Sequence, residues 1–139
     1  MTTSQQATPC EAAVRAADIV STATTSLEPL VCGAWLKEGA HLDLVGGFTP
    51  AMREADDEAV RRARIWVDTF EGALAEAGDI VQPLQSGVLA REAVAGDLFG
   101  LCRGEVAGRR DPASITMFKS VGTALEDLAA ATLVASRHL

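Results

Sequence analysis

The 139-residue chain is 48% hydrophobic and 22% charged, which is typical of one globular domain and excludes a disordered or fibrous protein. Its formal net charge of −7 disfavours a nucleic-acid partner, because the chain would repel a phosphate backbone. The most apolar stretch, residues 128–135, is far shorter than the ~20 residues of a membrane-spanning helix, and residues 1–6 do not resemble a signal peptide, so we expect a cytoplasmic protein without a membrane segment.

The first part of the chain predicts one helix and two strands. Residues 1–10 are expected to form a flexible N-terminus, and the Ala-rich residues 11–17 a short helix. Residues 18–24 are apolar and β-branched and predict a strand. A second strand is predicted over residues 41–45, and it ends at the glycine pair of residues 46–47.

The middle of the chain continues this alternation. Acidic residues 56–58 begin a predicted helix and Arg61, Arg62 and Arg64 end it, an order that complements the helix dipole. Residues 64–68 predict a third strand, and residues 69–77 predict the next helix, with Gly78 as its stop. The loop predicted after it contains three turn-favouring residues, Pro83, Ser86 and Gly87.

The last part of the chain completes the predicted fold. Residues 98–106 are helical in pattern despite two glycines, and residues 114–118 predict a strand. Ser120 is expected to cap a final helix over residues 121–139, which is apolar nearly all round and is therefore predicted to be buried on more than one side. Strands that alternate with helices predict an α/β fold, with a parallel sheet of about four strands and flanking helices.

Three separated blocks carry the most specific signal. The first is residues 45–58, which open Val45-Gly46-Gly47-Phe48-Thr49-Pro50; the second is residues 67–80; the third is residues 115–131, which contain Phe118-Lys119-Ser120-Val121-Gly122. In this order the blocks resemble the ornithine cyclodeaminase/mu-crystallin family of NAD(P)-dependent proteins, over about residues 11–136. The resemblance implies a partial Rossmann-like, doubly wound sheet.

The family's phosphate-binding loop has no counterpart in the sequence. No Gly-x-Gly-x-x-Gly/Ala segment occurs in the 139 residues. The resemblance matches the second half of the family's NAD(P)-binding domain and its C-terminal helix. We therefore expect residues 1–139 to form a single, truncated Rossmann-type domain that lacks both the pyrophosphate loop and the substrate domain.

The resemblance also implies where NAD or NADP binds. It places Thr22, Ala23 and Thr24 along the nucleotide, and Val45 and Gly46 beside the nicotinamide, at the carboxyl edge where open α/β sheets bind ligands. Without the resemblance, these residues are typical of ordinary strand ends with a turn glycine. With it, cofactor contact is favoured.

Lys119 and Ser120 belong to a segment that resembles the family's stretch near the nicotinamide and the inter-domain cleft. The resemblance therefore adds both residues to the predicted cofactor site. Ser120 and the amides after it could bind a carboxamide or carboxylate, since free N–H groups open a helix. The alternative is a cap that only satisfies the helix backbone. The sequence leaves both interpretations open.

Phe48 stands where ornithine cyclodeaminases proper carry an Asp that is thought to assist ammonia loss and ring closure. A phenyl ring cannot exchange a proton, so the sequence predicts no catalytic residue in this chain and places Phe48 in the substrate pocket. The sequence around Phe48 resembles the mu-crystallin, ketimine reductase and alanine dehydrogenase side of the family. The resemblance thus implies an NAD(P)-dependent oxidoreductase or deaminase that acts on an amino acid or a cyclic imine.

A second hypothesis is that the chain is a catalytically inactive fragment that binds a ligand or associates with itself. Without the phosphate loop, the dinucleotide loses its strongest electrostatic anchor. Removal of the first three strands of the family's sheet also leaves residues 19–23 as an unpaired edge, which invites another chain. We therefore expect a homo-oligomer or a self-associating protein, with this edge and residues 121–135 as the contact surfaces.

The sequence predicts no metal site. Asp56, Asp57 and Glu58 diverge around a helix and have no histidine nearby, so we interpret them as a solvated helix start. The three cysteines form no C-x-x-C pair and are odd in number, which fits reduced thiols. Free cysteines are often buried, and we interpret these three as packing residues, Cys10, Cys32 and Cys102.

Overall fold

Five parallel strands form one sheet in the structure, a computed structural model that describes residues 9–138. The strands are β1 (Ile19–Thr22), β2 (His41–Leu44), β3 (Arg64–Val67), β4 (Val94–Asp97) and β5 (Thr116–Lys119). Their order in the sheet is β1-β2-β5-β3-β4, and every neighbouring pair is parallel. All carboxyl ends therefore meet at one edge. The predicted α/β class with a parallel sheet is confirmed.

Within the described residues, six α-helices accompany the strands. They are α1 (Pro9–Ala16), α2 (Asp57–Arg62), α3 (Phe70–Glu76), α4 (Gly78–Ser86), α5 (Leu98–Arg103) and α6 (Ala124–His138). The predicted flexible segment, residues 1–10, lies outside the described residues apart from its last two, which begin α1. The charge order of α2 is as predicted, except that Arg64 begins β3 instead of ending the helix. None of these helices is long and apolar enough to cross a membrane.

The sheet has one strand more than predicted, because β4 was not expected. Its sequence, Val-Ala-Gly-Asp, is poor in residues that favour strands. Pairing with β3 and the burial of Val94 outweigh that weak propensity. The helix that follows is also shorter than predicted, since α5 ends at Arg103 rather than near residue 106.

The loop predicted after Gly78 was wrong. Helix α3 stops before Gly78, as expected, but Gly78 begins α4 at once, and Pro83 lies inside that helix instead of in a loop. Proline removes one helical hydrogen bond, but α4 buries Ile80, Val81 and Pro83 itself in compensation. The helix ends at Gly87, whose φ of 77° is the left-handed conformation common after helices.

The hydrophobic core lies on one face of the sheet. Side chains that alternate along the three central strands point to this face and are almost fully buried: Leu42, Leu44, Ile65, Val67 and Met117. Helices α1 to α4 contribute buried residues to the same cluster, among them Val14, Ala59, Ala73 and Ile80. The core thus fixes the register of the strands, and with it the position of the carboxyl edge.

The C-terminal helix differs from its prediction in start, cap and burial. It begins at Ala124, and residue 139 lies outside the described residues. Thr123 and Glu126 form a capping box, since each backbone N–H donates to the other side chain. The helix is exposed along its length, with Leu125 at 61% and Leu128 at 62%. Ser120 is therefore not its cap, and the prediction of burial on several sides was wrong.

The cysteines also differ in part from their prediction as buried packing residues. Cys10 and Cys102 are exposed, and Cys32 is half-buried. Burial raises the pKa of the Cys32 thiol, and the neighbouring Asp56 carboxylate adds to that rise. Within residues 9–138 the three thiols are unpaired.

Candidate functional site

The predicted cofactor residues converge at the carboxyl ends of three adjacent strands. Strands β1, β2 and β5 are neighbours in the sheet, so residues 22–24, 45–46 and 119–120 lie side by side. Backbone hydrogen bonds join them: Val45 N donates to Thr22 O (2.8 Å), Gly47 N to Thr24 O (3.2 Å) and Ser120 N to Leu44 O (3.0 Å). The structure thus brings all seven residues to one edge, although their contact with a cofactor stays a prediction.

The surface of this edge is apolar and open. Val45 and Phe48 expose 47% and 48% of their area, and Ala23 is exposed beside them. The Thr22 hydroxyl is buried and has no hydrogen-bond partner among the described residues. Exposed apolar side chains at a strand edge suit the face of a flat ring, and the buried Thr22 hydroxyl is not part of that surface.

The glycine pair after β2 is required by close internal packing. A Cβ at Gly46 would lie 2.2 Å from Thr24 O and 2.4 Å from Glu54 Oε1. Gly47 has a φ of 61°, and a Cβ there would lie 2.6 Å from Asp79 Oδ2. No other residue type fits both positions without displacing its neighbours.

A buried ionic cluster, formed by Glu54, Asp79 and Lys119, lies beneath this glycine turn. All three residues are 0% exposed. Lys119 Nζ lies 3.8 Å from Asp79 Oδ2 and donates hydrogen bonds to three carbonyl oxygens, those of Leu44 (3.2 Å), Ser120 (3.0 Å) and Gly46. The lysine predicted as a cofactor contact therefore turns its side chain inward.

The two carboxylates of the cluster bind backbone amides. Asp79 Oδ1 accepts from the amides of Glu54 (2.8 Å) and Ala55 (2.9 Å), and Glu54 Oε1 accepts from Thr24 N (2.7 Å). The other oxygen of each carboxylate is buried and has no hydrogen-bond partner in the described part of the chain. The cluster thus connects the loop that follows β2, residues 45–56, to the end of β1.

Burial dominates the electrostatics of the pair at the centre of the cluster. It raises the pKa of Asp79, against the two amide hydrogen bonds and the charge of Lys119, which lower it. Burial also lowers the pKa of Lys119, against the carboxylates of Asp79 and Glu54. Both shifts have the same physical cause, since low dielectric surroundings disfavour the charged form of either group.

The cluster was not predicted, although its members lie in the three blocks that carried the family resemblance. Glu54 belongs to the first block, Asp79 to the second and Lys119 to the third. Each block holds several charged residues, five in the first, four in the second and three in the third, so the sequence does not single out these three. Buried charges are rare unless they are paired, and three such residues from separate blocks are candidates for one shared site.

Asp68 binds the hydroxyl of Ser120 and the backbone amides that follow it. Its Oδ2 accepts from Ser120 Oγ (3.1 Å), Val121 N (2.7 Å) and Gly122 N (2.8 Å), and the residue is 1% exposed. An internal carboxylate therefore occupies the amides that a ligand carboxylate or carboxamide was expected to meet. The backbone of Ser120 remains at the carboxyl edge beside β2.

The edge does not provide a cradle for a pyrophosphate. Such a cradle needs free backbone N–H groups in a glycine-rich turn. In the glycine pair after β2, the amides of Gly46 and Gly47 donate to Thr22 O and Thr24 O and are not available. Within the described residues, this glycine turn therefore leaves no free amide for a phosphate.

Comparison with known proteins identifies the family. A sequence profile described as "Ornithine cyclodeaminase/mu-crystallin family" matches residues 4–139. The chain belongs to this family. Family relatives include an uncharacterised protein of Schizosaccharomyces pombe, 48% identical over 92% of the chain. They also include Delta(1)-pyrroline-2-carboxylate reductase of Paracoccus denitrificans, 44% identical over 89% of the chain, and ketimine reductase mu-crystallin of Mus musculus, 44% identical over 88%.

Solved structures of family-like proteins share the fold. The Delta(1)-pyrroline-2-carboxylate reductase of Thermococcus litoralis, solved with NADH and L-proline, is 41% identical, with a TM-score of 0.85 over 88% of this chain and 38% of that one. An archaeal alanine dehydrogenase dimer with bound NAD is 33% identical, with a TM-score of 0.85 over 95% of this chain and 42% of that one. The predicted Rossmann-like fold is thus confirmed.

The chain is much shorter than the relatives it matches. It spans 40% of the Schizosaccharomyces pombe protein, 39% of the Paracoccus denitrificans reductase and 36% of mouse mu-crystallin. The matched part contains the strand ends and the ionic cluster described above.

Proposed function

We propose that the chain provides the nicotinamide side of an NAD(P) site in an oxidoreductase that acts on a cyclic imine or an amino acid. The observation that carries this proposal is the convergence of residues 22–24, 45–46 and 119–120 at one carboxyl edge. Relatives named as pyrroline-2-carboxylate reductase and ketimine reductase, and neighbours solved with NADH or NAD, support it. The three unpaired cysteines favour the cytoplasm as its location.

The chain's own residues would bind and orient rather than exchange protons. The bound cofactor supplies the hydride. The exposed side chains of Val45 and Phe48 would exclude water from the ring, and the backbone at the ends of β1 and β5 would border it. Because Phe48 cannot act as an acid or base, we favour the reductase or alanine dehydrogenase activity over cyclodeamination. The described residues fit NAD and NADP equally.

The proposal is tested by titrating the 139-residue chain with NADH while its amide signals are followed by NMR. We expect weak, millimolar binding, because the pyrophosphate cradle is lacking, with shifts confined to residues 22–24, 45–48 and 119–120. NADPH should give the same pattern. A dissociation constant in the low micromolar range would contradict the expected weakness, and unchanged strand-end signals at millimolar NADH would contradict the site.

Specificity is tested in a fusion that joins this chain to the part of a family reductase that the chain does not match. The fusion should reduce cyclic imines or oxo acids and release no ammonia from ornithine, because Phe48 cannot assist that step. Phe48→Leu, an apolar replacement, should keep the same selectivity, whereas Phe48→Asp adds the missing carboxylate. Formation of proline and ammonia from ornithine by the unmodified fusion would show that Phe48 does not exclude cyclodeamination.

A second candidate function, a non-enzymatic module that binds a ligand or associates with itself, is favoured by two exposed apolar surfaces. Ile19 on the edge strand β1 is 68% exposed, and α6 exposes four large apolar side chains, Leu125, Leu128, Leu133 and Val134. Contiguous exposed apolar side chains often mark a contact surface between proteins.

A further inference from the structure

The ionic cluster of Glu54, Asp79 and Lys119 touches every segment of the proposed dinucleotide edge. Glu54 binds the amide of Thr24 after β1, and Lys119 binds the carbonyls of Leu44 and Gly46 around the end of β2 and that of Ser120 after β5. These contacts involve backbone groups, so the cluster sets where the chain lies and leaves the exposed side chains free. The cluster therefore fixes the backbone beneath the exposed surface.

Packing alone does not account for such a cluster. Removing charges from water costs free energy, and a buried ion pair is often no more stabilising than apolar residues of the same volume. Here two carboxylates share one lysine, and each keeps one oxygen without a hydrogen bond. Leucine or methionine would fill the same space without that penalty, but neither could bind carbonyl and amide groups of three segments at once.

The glycine turn depends on the cluster for its shape. Gly46 and Gly47 approach Glu54 Oε1 and Asp79 Oδ2 so closely that a Cβ at either position would collide with those oxygens. Phe48 follows the turn directly and is exposed at the carboxyl edge. A shift of the cluster would therefore move Val45 and Phe48, the two apolar side chains of the proposed nicotinamide surface.

We propose that Glu54, Asp79 and Lys119 are positioning residues, which hold the ends of β1, β2 and β5 in the arrangement that receives the nicotinamide end of the dinucleotide. This inference rests on the proposed function. The cluster touches no substrate or cofactor itself and acts through the backbone of Thr24, Gly46 and Ser120. Lys119, predicted as a cofactor contact, takes an indirect role.

The first test is the double variant Lys119→Met with Asp79→Asn, which removes one charge of each sign and keeps the side-chain volumes. It leaves Glu54 as the one charge of the cluster, whereas Lys119→Met alone would leave two buried carboxylates without a cation. In the 139-residue chain we expect faster hydrogen exchange at the amides of Gly47 and Ser120. The change in amide chemical shift that a given concentration of NADH induces should fall about tenfold, because NADH binds more weakly. Met117→Leu, a buried change on the same strand, is the control for lost packing and should leave that shift unchanged.

A second pair of variants covers the case in which the double variant does not fold. Glu54→Gln keeps an oxygen that can accept from Thr24 N, whereas Glu54→Leu has a similar volume and no acceptor. Glu54→Gln should retain the NADH response, and Glu54→Leu should lose most of it. This rescue by the conservative change distinguishes positioning from a purely structural role.

The outcomes separate this inference from the proposed function. A folded double variant, or a folded Glu54→Leu variant, with the wild-type NADH response and wild-type hydrogen exchange would overturn the positioning role while the proposed site stands. If the wild-type chain shows no NADH response, the proposed function fails. Faster hydrogen exchange at the Gly47 amide in the variants would then still show that the cluster fixes the backbone, and unchanged hydrogen exchange would overturn that role.

Discussion

At the scale of single residues, His41 and Thr116 show how a buried polar pair fixes a protonation state. They begin the neighbouring strands β2 and β5, and His41 Nδ1 lies 2.8 Å from Thr116 Oγ1. Arg109 donates to the same hydroxyl oxygen at 2.7 Å, so the hydroxyl proton is free to be donated to the imidazole. Burial lowers the pKa of His41, Asp43 opposes that shift, and Arg109 adds to it. The neutral imidazole is therefore favoured in the folded chain.

A pH dependence of stability follows from that pKa. Because the folded-state value is depressed, the unfolded chain binds the proton more readily, and the stabilisation is lost as pH falls below about 6.5. The raised pKa of Asp79 acts in the opposite sense, so the contribution of His41 is measured as a difference between variants. In chemical denaturation between about pH 5 and pH 7, the free energy of unfolding of the wild type should fall relative to that of His41→Gln as the pH is lowered, and His138→Gln, the control, should behave like the wild type. Equal slopes for His41→Gln and the wild type would contradict the prediction.

The residues of the site were predictable in position but not in role. Thr22, Val45 and Ser120 could be placed at one edge, because the carboxyl ends of parallel strands meet there. The inward direction of Lys119 could not, since it depends on Asp79 and on two carbonyls at the end of β2. Its motif indicated the correct edge, and only the packing of distant segments shows that its ammonium lies below the surface.

At the scale of elements, capping residues make testable differences to local stability. Helix α6 has few tertiary contacts, so its stability depends mainly on its own sequence and on the Thr123 and Glu126 capping box. Thr123→Ala should lower the protection of α6 amides in hydrogen exchange by about 1 kcal/mol. Global unfolding should change little, because the core does not include α6.

Thr132→Ala is the matched control for the cap. Thr132 lies inside α6, where its hydroxyl donates to Leu128 O, and alanine is the better helix former. This change should maintain or increase amide protection in α6. If both variants lose amide protection equally, the loss does not come from the capping box, and the prediction is wrong.

Elements with strong local patterns were predicted well, and those formed by tertiary pairing were not. The strands β1, β3 and β5 contain β-branched or aromatic residues, and β2 alternates polar with apolar residues, and both patterns are readable in the sequence. Strand β4 has Ala, Gly and Asp in three of its four positions and exists because β3 offers it a partner. Helix α4 contains Pro83 and begins with Gly78, so local propensity predicted its absence while burial of one face determined its presence.

At the scale of the whole molecule, coverage of the sheet is uneven. Helices α1 to α4 bury one face and one set of strand side chains. Strand β1 lies at the end of the sheet, and no strand within residues 9–138 pairs with its outer side. Helix α6 leaves Leu133 and Val134 more than half exposed. These two surfaces, the outer edge of β1 and the length of α6, are where a second copy of the chain would gain most by binding.

We therefore predict that the chain self-associates through β1 and α6. An apolar, β-branched edge without lysine or proline offers free N–H and C=O groups to another strand, although the net charge of −7 opposes association. Light scattering at tens of micromolar should show dimers or larger species. Ile19→Lys should shift the distribution towards monomer, and Leu128→Lys should test the helix in the same way. Leu27→Lys, an equally exposed leucine outside both surfaces, should have less effect at the same added charge. A stable monomer that Ile19→Lys leaves unchanged would show that the edge of β1 is not a contact surface. If the chain self-associates and none of the three substitutions alters the distribution, the interface lies elsewhere.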